Sequence, residues 1–341
     1  MPSQEMFEDG TQKSRTILYS MLDELCELSG QIEFALDHFG VCKPKISLLE
    51  GRKRNKKLLI QLFGDQSIQE CEFLRISTFV SFSVDKVQID DKPELSADEN
   101  IAQRRSIGQL LIREAFVKQI SNMLIAANLA RVGSIELKNS VIIQDNVLQE
   151  RVAVPPMDSW SLQRSLELSE KIGWPKLQII DFLKVWKWLG KHEDFFKEGF
   201  SNSKMGRALG AFSHIFEYST SDEPMQLLWA LIGVESLYVR GQMALLEQVR
   251  EKTQVFLGPQ EGYKKRVIRM YDFRSRFVHG DLNFPGLYPA IDDFEIFGEN
   301  LLESISLAVA ILAATIQEII QRGWSGLEFS YNAVNSADFT H

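Results

Sequence analysis

Met270-Tyr271-Asp272-Phe273-Arg274-Ser275-Arg276-Phe277-Val278-His279-Gly280 reads as the last turns of an amphipathic helix stopped by a glycine. Glycine reaches the left-handed backbone conformation without a Cβ penalty, so helices commonly end there. Upstream, apolar side chains recur at Tyr263, Val267 and Tyr271, and then at Val278. The position that continues this spacing between Tyr271 and Val278 is Arg274. A guanidinium on such a face is rarely a plain solvated charge. His279 follows five residues on, roughly 140° around the helix. The two side chains need not touch within one helix. Both can line one cleft if a second helix or a second subunit supplies the other wall.

A second helix offers a partner. Within Leu227-Leu228-Trp229-Ala230-Leu231-Ile232-Gly233-Val234-Glu235-Ser236-Leu237-Tyr238 a single acid follows Leu228 and Leu231 at helical spacing. A carboxylate bordering a buried face is costly unless paired, and Arg274 is its natural partner. Two readings stand side by side. Glu235 and Arg274 form a structural ion pair bracing two helices, or Glu235 orients Arg274 or His279 beside a substrate phosphate. The carbonyl end of a helix attracts a cation, which suits a histidine in the last turn as a proton carrier. Arginine holds phosphate oxygens through paired hydrogen bonds. Together these groups suit attack of an RNA 2′-hydroxyl on its neighbouring phosphorus, with neither metal nor cofactor. DNA lacks that hydroxyl. Lys264, Lys265, Arg266, Arg269 and Arg276 are candidates to guide an RNA backbone, against the plainer reading of a solvated helix face.

The whole chain bounds these ideas. Its 341 residues fit two domains better than one. Hydrophobic residues make up 45% and charged residues 25%, so a packed core is expected. A net charge of -8 argues against a surface coated for DNA and leaves room for a local basic site. Cys26, Cys42 and Cys71 are odd in number and lack metal-ligand spacing, which points to a reducing, cytoplasmic setting. The first residues have no basic-then-apolar layout of a secretory signal. The most apolar run, Leu307 to Ile316, is too short to span a bilayer, so no membrane partner is expected.

Taken in order, residues 14–38 read as a helix. The basic turn Arg52-Lys53-Arg54-Asn55-Lys56-Lys57 leads to a strand at 58–63. Residues 71–89 read as a strand pair or one bent strand, where Val80, Phe82 and Val84 alternate with polar residues as a half-buried strand would. Residues 90–99 read as a polar loop and 106–130 as a strong helix. Three short strand candidates follow at 135–137, 141–143 and 152–154. No glycine-rich phosphate loop follows any strand, and no zinc-type HExxH or GxSxG pattern occurs. After Pro156 the strand signals fade. Helices are expected at 159–171, from Pro175 through Trp188, at 202–218, over 223–256 as one long helix or two joined near Val239 to Gln242, at 262–279 and at 299–322. Trp186, Trp188, Phe195 and Phe196 suggest a dense aromatic contact. His38 reads as a helix end, His192 as a turn residue and His214 as a packing residue. The fold expected is α+β. A mixed α/β domain of unknown role covers 1–160, and an all-helical bundle covers 161–330, with a long connection over 280–298 carrying Pro285, Pro289, Asp292 and Asp293.

The segment Ala230-Leu231-Ile232-Gly233-Val234-Glu235-Ser236-Leu237 and the motif Tyr271 to Gly280 together resemble the HEPN superfamily, in its Apea-like form associated with abortive infection and antiviral defence. The resemblance spans roughly residues 170–325. It implies an all-helical domain carrying an Arg-x4–6-His motif, here Arg274-x4-His279. Many members are metal-independent endoribonucleases in which dimerisation brings two copies of the motif into one cleft. Others have lost activity and serve as binding or dimerisation modules. Many active relatives carry Asn, Asp or His directly after the arginine, whereas this chain has Ser275, as the Apea-like form does. By this resemblance Arg274 and His279 are catalytic with Glu235 in support. RNA is the substrate, a second copy of the chain is the partner, and a further defence-system protein is a candidate partner.

Overall fold

The computed structural model describes residues 21–49, 73–88, 95–144, 147–150, 154–200, 202–215, 223–241, 243–259, 262–281 and 298–330. The basic turn at 52–57, the strand at 58–63, Cys71, residues 152–153 and the connection over 282–297 lie outside these residues. The described chain is mainly helical with a few short strands, an α+β composition. It divides into two compact units. The first comprises Met1–Gln163, Ile179–Glu198 and Phe216–Ser219, and the second Arg164–Gln178, Gly199–Ile215 and Thr220–His341.

In the first unit, residues 21–27 are helical and the chain then turns. The helix expected to reach residue 38 stops early because its later apolar residues follow a different period. Ile32, Phe34 and Leu36 alternate and are all buried, and Phe34 lies in strand β1 (Phe34–Ala35), antiparallel to β2 (Val41–Cys42). Strand β3 (Lys45–Leu48) pairs antiparallel with β4 (Leu74–Ser77). The alternation at 80–84 does not make a strand. Ser83 Oγ donates to Asp85 Oδ2 at 3.1 Å, a local bond that competes with a ladder, and a 3-10 turn follows at Val84–Lys86. Phe82 meets the Phe39 ring edge-on at 5.5 Å, whereas Phe79 is 91% exposed.

Helix α1 (Ala97–Ala130) begins nine residues before the expected start, inside the stretch read as a loop. Its signal is a capping box. The Ser96 hydroxyl accepts from the Glu99 N–H at 3.3 Å and the Glu99 carboxylate accepts from the Ser96 N–H at 2.8 Å. The buried amide of Asn128 donates to Leu124 O and Ile135 O and accepts from the Ile135 N–H, fixing the chain that leaves the helix. Strands β5 (Ile142–Gln144) and β6 (Val147–Glu150) form a hairpin, while Leu137 forms an isolated antiparallel bridge with Met157. Helix α2 is Trp160–Ile172. Helix α3 (Phe182–Leu189) starts after Asp181, whose carboxylate caps the Lys184 N–H at 2.8 Å, and not at Pro175. The Ile180 N–H donates to Ala130 O, which holds the approach to α3 out of the helix.

The aromatic cluster expected around Trp186 is present. Phe182 stacks on Trp186, Phe34 lies 5.9 Å from it, and Phe196 meets it edge-on at 5.0 Å. His192 is buried at 8% exposure against Trp188, 4.4 Å between rings. Its Nε2 has no hydrogen-bond partner among the described residues.

The second unit is a helical bundle of α4 (Lys204–Ile215), α5 (Glu223–Tyr238), α6 (Leu245–Leu257), α7 (Tyr263–His279) and α8 (Gly298–Arg322). All four others pack on α8, whose residues from Ser304 to Gln317 are buried without a gap. By length and hydropathy α8 could cross a membrane, but its apolar surface is covered by the unit's own helices. The closest approach is at Gly233 of α5, where an added Cβ would sit 2.5 Å from a methyl of Leu312 and 3.3 Å from Ala211 Cβ. Polar groups on α8 are satisfied. Thr315 hydrogen-bonds Tyr238 Oη at 2.7 Å, and the Gln317 amide both accepts from the Gln178 N–H and donates to Gln178 O at 2.8 Å.

Two stability predictions follow from this packing. Burial, more than the opposing influence of Asp194, pushes the His192 imidazole below its ordinary value of 6.5. The unfolded chain therefore binds more protons in that range, so this contribution is fully present above about pH 6.5 and declines as pH falls through the lower folded value. Chemical denaturation across pH 5 to 8 (about that window) should show a wild-type loss at the acidic end that His192→Phe lacks. Gly233→Ala should lower stability of the bundle by about 1–2 kcal/mol, since overpacking against Leu312 outweighs the gain in helix propensity. Urea titration of the variant measures it.

Candidate functional site

The site is carried by α7 and its neighbours. The helix ends as its sequence requires. Gly280 adopts φ 76° and ψ 18°, its N–H donates to Phe277 O, and the Asp281 N–H reaches back to Arg276 O at 2.8 Å. This paired arrangement satisfies carbonyls that the helix end leaves open. His279 is the last helical residue and is exposed.

The buried face of α7 runs through Val267, Met270, Tyr271, Phe273 and Phe277. Val278, expected on that face, is 56% exposed, because Phe277 takes the buried position one residue earlier. Arg274 continues the buried row at three- and four-residue spacing from Met270, Tyr271 and Phe277.

Arg274 meets Glu235 of α5. Its Nη2 donates to Glu235 Oε2 at 3.3 Å, and its Nε lies 3.2 Å from Oε1. The second approach is close enough for an ion pair, but Oε1 is buried without a hydrogen bond of good direction. The Glu235 side chain is 17% exposed and that of Arg274 is 32% exposed. The carboxylate is therefore fixed by one well-formed contact, and the guanidinium keeps one edge toward solvent.

His279 does not join this pair. It lies about 140° around α7 and roughly 7.5 Å further along it. It shares an exposed stripe with Lys264, Ile268, Asp272 and Ser275. Among the described residues it makes no hydrogen bond or ion pair. Within one chain the structure thus brings Glu235 and Arg274 together and leaves His279 facing outward.

The basic residues divide into two groups. Arg266 forms an ion pair with Glu303 of α8, and Arg269 donates to Glu303 at 3.2 Å and to Asn300 at 2.7 Å. These two brace α7 against α8. Arg276 approaches Asp272 at 3.9 Å, one turn back. Lys264 and Lys265 are exposed with no ion pair among the described residues. Glu303 and Asn300 were not singled out from sequence. The available signal was an acid interrupting the apolar run of α8, the same signal that marked Glu235.

His214 stacks on Trp229 at 4.3 Å, in keeping with a packing role. Among the described residues no group of His, Cys, Asp and Glu has the arrangement of a metal site. Comparison with protein-family models, curated proteins and solved structures returns no match.

Arg274→Ala leaves the Glu235 carboxylate half-stranded and should cost about 1–3 kcal/mol. The double variant Arg274→Met with Glu235→Gln should recover most of that loss. Urea unfolding of Arg274→Met, Glu235→Gln and their double closes the cycle, and additivity would show that the pair is uncoupled.

Proposed function

We propose that this protein is a metal-independent endoribonuclease of the HEPN type, acting as a homodimer in the cytoplasm, in antiviral defence by abortive infection. The observation that carries the reading is the Arg274–Glu235 pair on the motif helix that ends in His279. Glu235 fixes a guanidinium whose open edge suits phosphate oxygens. His279 sits at a helix end with an unencumbered imidazole on an exposed stripe. Because Arg274 and His279 point apart within one chain, a second copy is the natural source of the missing wall.

The chemistry asks no more than these side chains. An imidazole takes the 2′-hydroxyl proton as the 2′-oxygen bonds to phosphorus. Arg274 stabilises the added negative charge. The bond from phosphorus to the 5′-oxygen breaks, and that oxygen takes a proton from the imidazolium of the other copy. The products are a 2′,3′-cyclic phosphate and a 5′-hydroxyl. Lys264 and Lys265 attract the RNA backbone, with Arg276 and the partly exposed Arg266 and Arg269 behind them.

A second reading is a non-catalytic HEPN dimerisation module that binds RNA or protein. It is favoured by the engagement of Arg266 and Arg269 with Glu303, which takes two cations away from an RNA path.

A mixed pool of structured and single-stranded RNA, incubated in EDTA with wild type and His279→Ala, tests the reading. Wild type should leave cyclic phosphate ends, and His279→Ala should cleave at least about 100-fold more slowly while melting as wild type does. Equal cleavage by both proteins rejects the assignment. A folded wild-type dimer that cleaves nothing favours the second reading.

A further inference from the structure

Gly233 stands on α5 where α4 and α8 both press against it. An added Cβ would come within 2.5 and 2.9 Å of the two methyls of Leu312 on α8, and within 3.3 Å of Ala211 Cβ on α4. Carbon atoms do not sit that close, so a side chain or a helix must move. Leu312 is wholly buried, and so are Ile311 and Ala313 beside it. In a close-packed interior the leucine has little room to turn aside, and α5 is the part that gives.

The consequence falls on Glu235. Two residues further along a helix lie about 200° around it. Gly233 therefore faces α8 and α4, while Glu235 leaves the other side of α5 to meet Arg274. Helix α5 packs extensively on α4 and α8 and touches α7 only slightly. The gap between the carboxylate and the guanidinium is thus set by where each helix sits on α8, not by α5 and α7 pressing together. The seat of α7 is held separately, by Arg266 and Arg269 on Glu303. The end of α5 is tied as well, through Tyr238 Oη and Thr315, one turn beyond Leu312, at 2.7 Å. A push at residue 233 tilts α5 between fixed points, and α7 does not follow.

The pair has little slack. Arg274 Nη2 lies 3.3 Å from Glu235 Oε2, already at the long end for an N–H···O bond. The Nε approach to Oε1 at 3.2 Å lacks good direction. A shift of a few tenths of an ångström takes the one formed bond out of range.

We propose that Gly233 is a positioning residue for Arg274. By admitting Leu312 against the backbone of α5 it places Glu235, and through Glu235 it places the guanidinium that takes the phosphate. The last step rests on the ribonuclease reading, whereas the placing of the pair does not.

The test is a urea double-mutant cycle on the full chain, Arg274→Met with Glu235→Gln, run in three backgrounds. These are wild type, Gly233→Ala, and Gly233→Ala with Leu312→Val, which draws both methyls back by one bond. Coupling should be present in wild type, lost in Gly233→Ala and regained with Leu312→Val. A glycine with a merely structural role would cost stability in Gly233→Ala and leave the coupling as it was. RNA cleavage gives a second readout. Gly233→Ala should lower kcat about tenfold or more with KM little changed, and Leu312→Val should restore it. The proposal is overturned if wild type shows no coupling, if coupling survives in Gly233→Ala, or if Leu312→Val does not bring it back. A chain that cleaves no RNA in any background overturns the ribonuclease reading instead, and the urea cycles still decide the placing of the pair.

Discussion

A helix that is apolar on every side must be covered on every side, and α8 is such a helix. From Ser304 to Gln317 it offers water no surface. The rest of the second unit is arranged around that requirement, with α4, α5, α6 and α7 each laid against it. The hydrophobic effect sets the arrangement without specifying it, since buried area has no direction. Direction comes from a few contacts that fit only one way. Gly233 lets α5 approach Leu312, the Tyr238 hydroxyl meets Thr315, and Glu303 gathers Arg266 and Arg269 at one end of α7. The candidate site is a by-product of this packing. Glu235 lies two residues after Gly233, so the contact that seats α5 also sets where the carboxylate meets Arg274.

The helices of the second unit were legible because each carries an apolar stripe of the right period and ends at a recognisable stop. The motif helix ends at Gly280 as read, and the long stretch from 223 breaks between Tyr238 and Leu245. The pairing of Glu235 with Arg274 was also legible, since each is a charge standing on an apolar row. The first unit was harder. Ile32 and Leu36 fit a three- and four-residue spacing when read with Leu22 and Leu25, and a two-residue spacing when read with Phe34 between them. The structure follows the second. The start of α1 was missed although Ser96 and Glu99 spell a capping box, because the acidic residues around them also describe a loop.

Other parts were not legible in physical principle. That Arg266 and Arg269 share Glu303 depends on which helix lies beside α7, and periodicity says which face is buried but never against what. His192 was read as a turn residue because it follows Gly190. It does sit in a turn, its N–H donating to Leu189 O at 3.0 Å, and that turn lays its ring against Trp188 four residues earlier; what the turn signal did not carry is the depth of its burial.

The position of α8 along the chain has a consequence for how the protein is made. Ribosomes deliver residues in order, at roughly 5–20 per second. Helices α4 to α7 leave the ribosome before the element that covers their inner faces. Until residues 298–322 have emerged, those faces can meet only each other, the nascent chain or a chaperone. Among the described residues of the second unit Gln178 waits longest, because the amide that clamps its backbone is supplied 139 residues later. The second unit therefore completes itself in a single late step of synthesis, when its centre arrives after its walls.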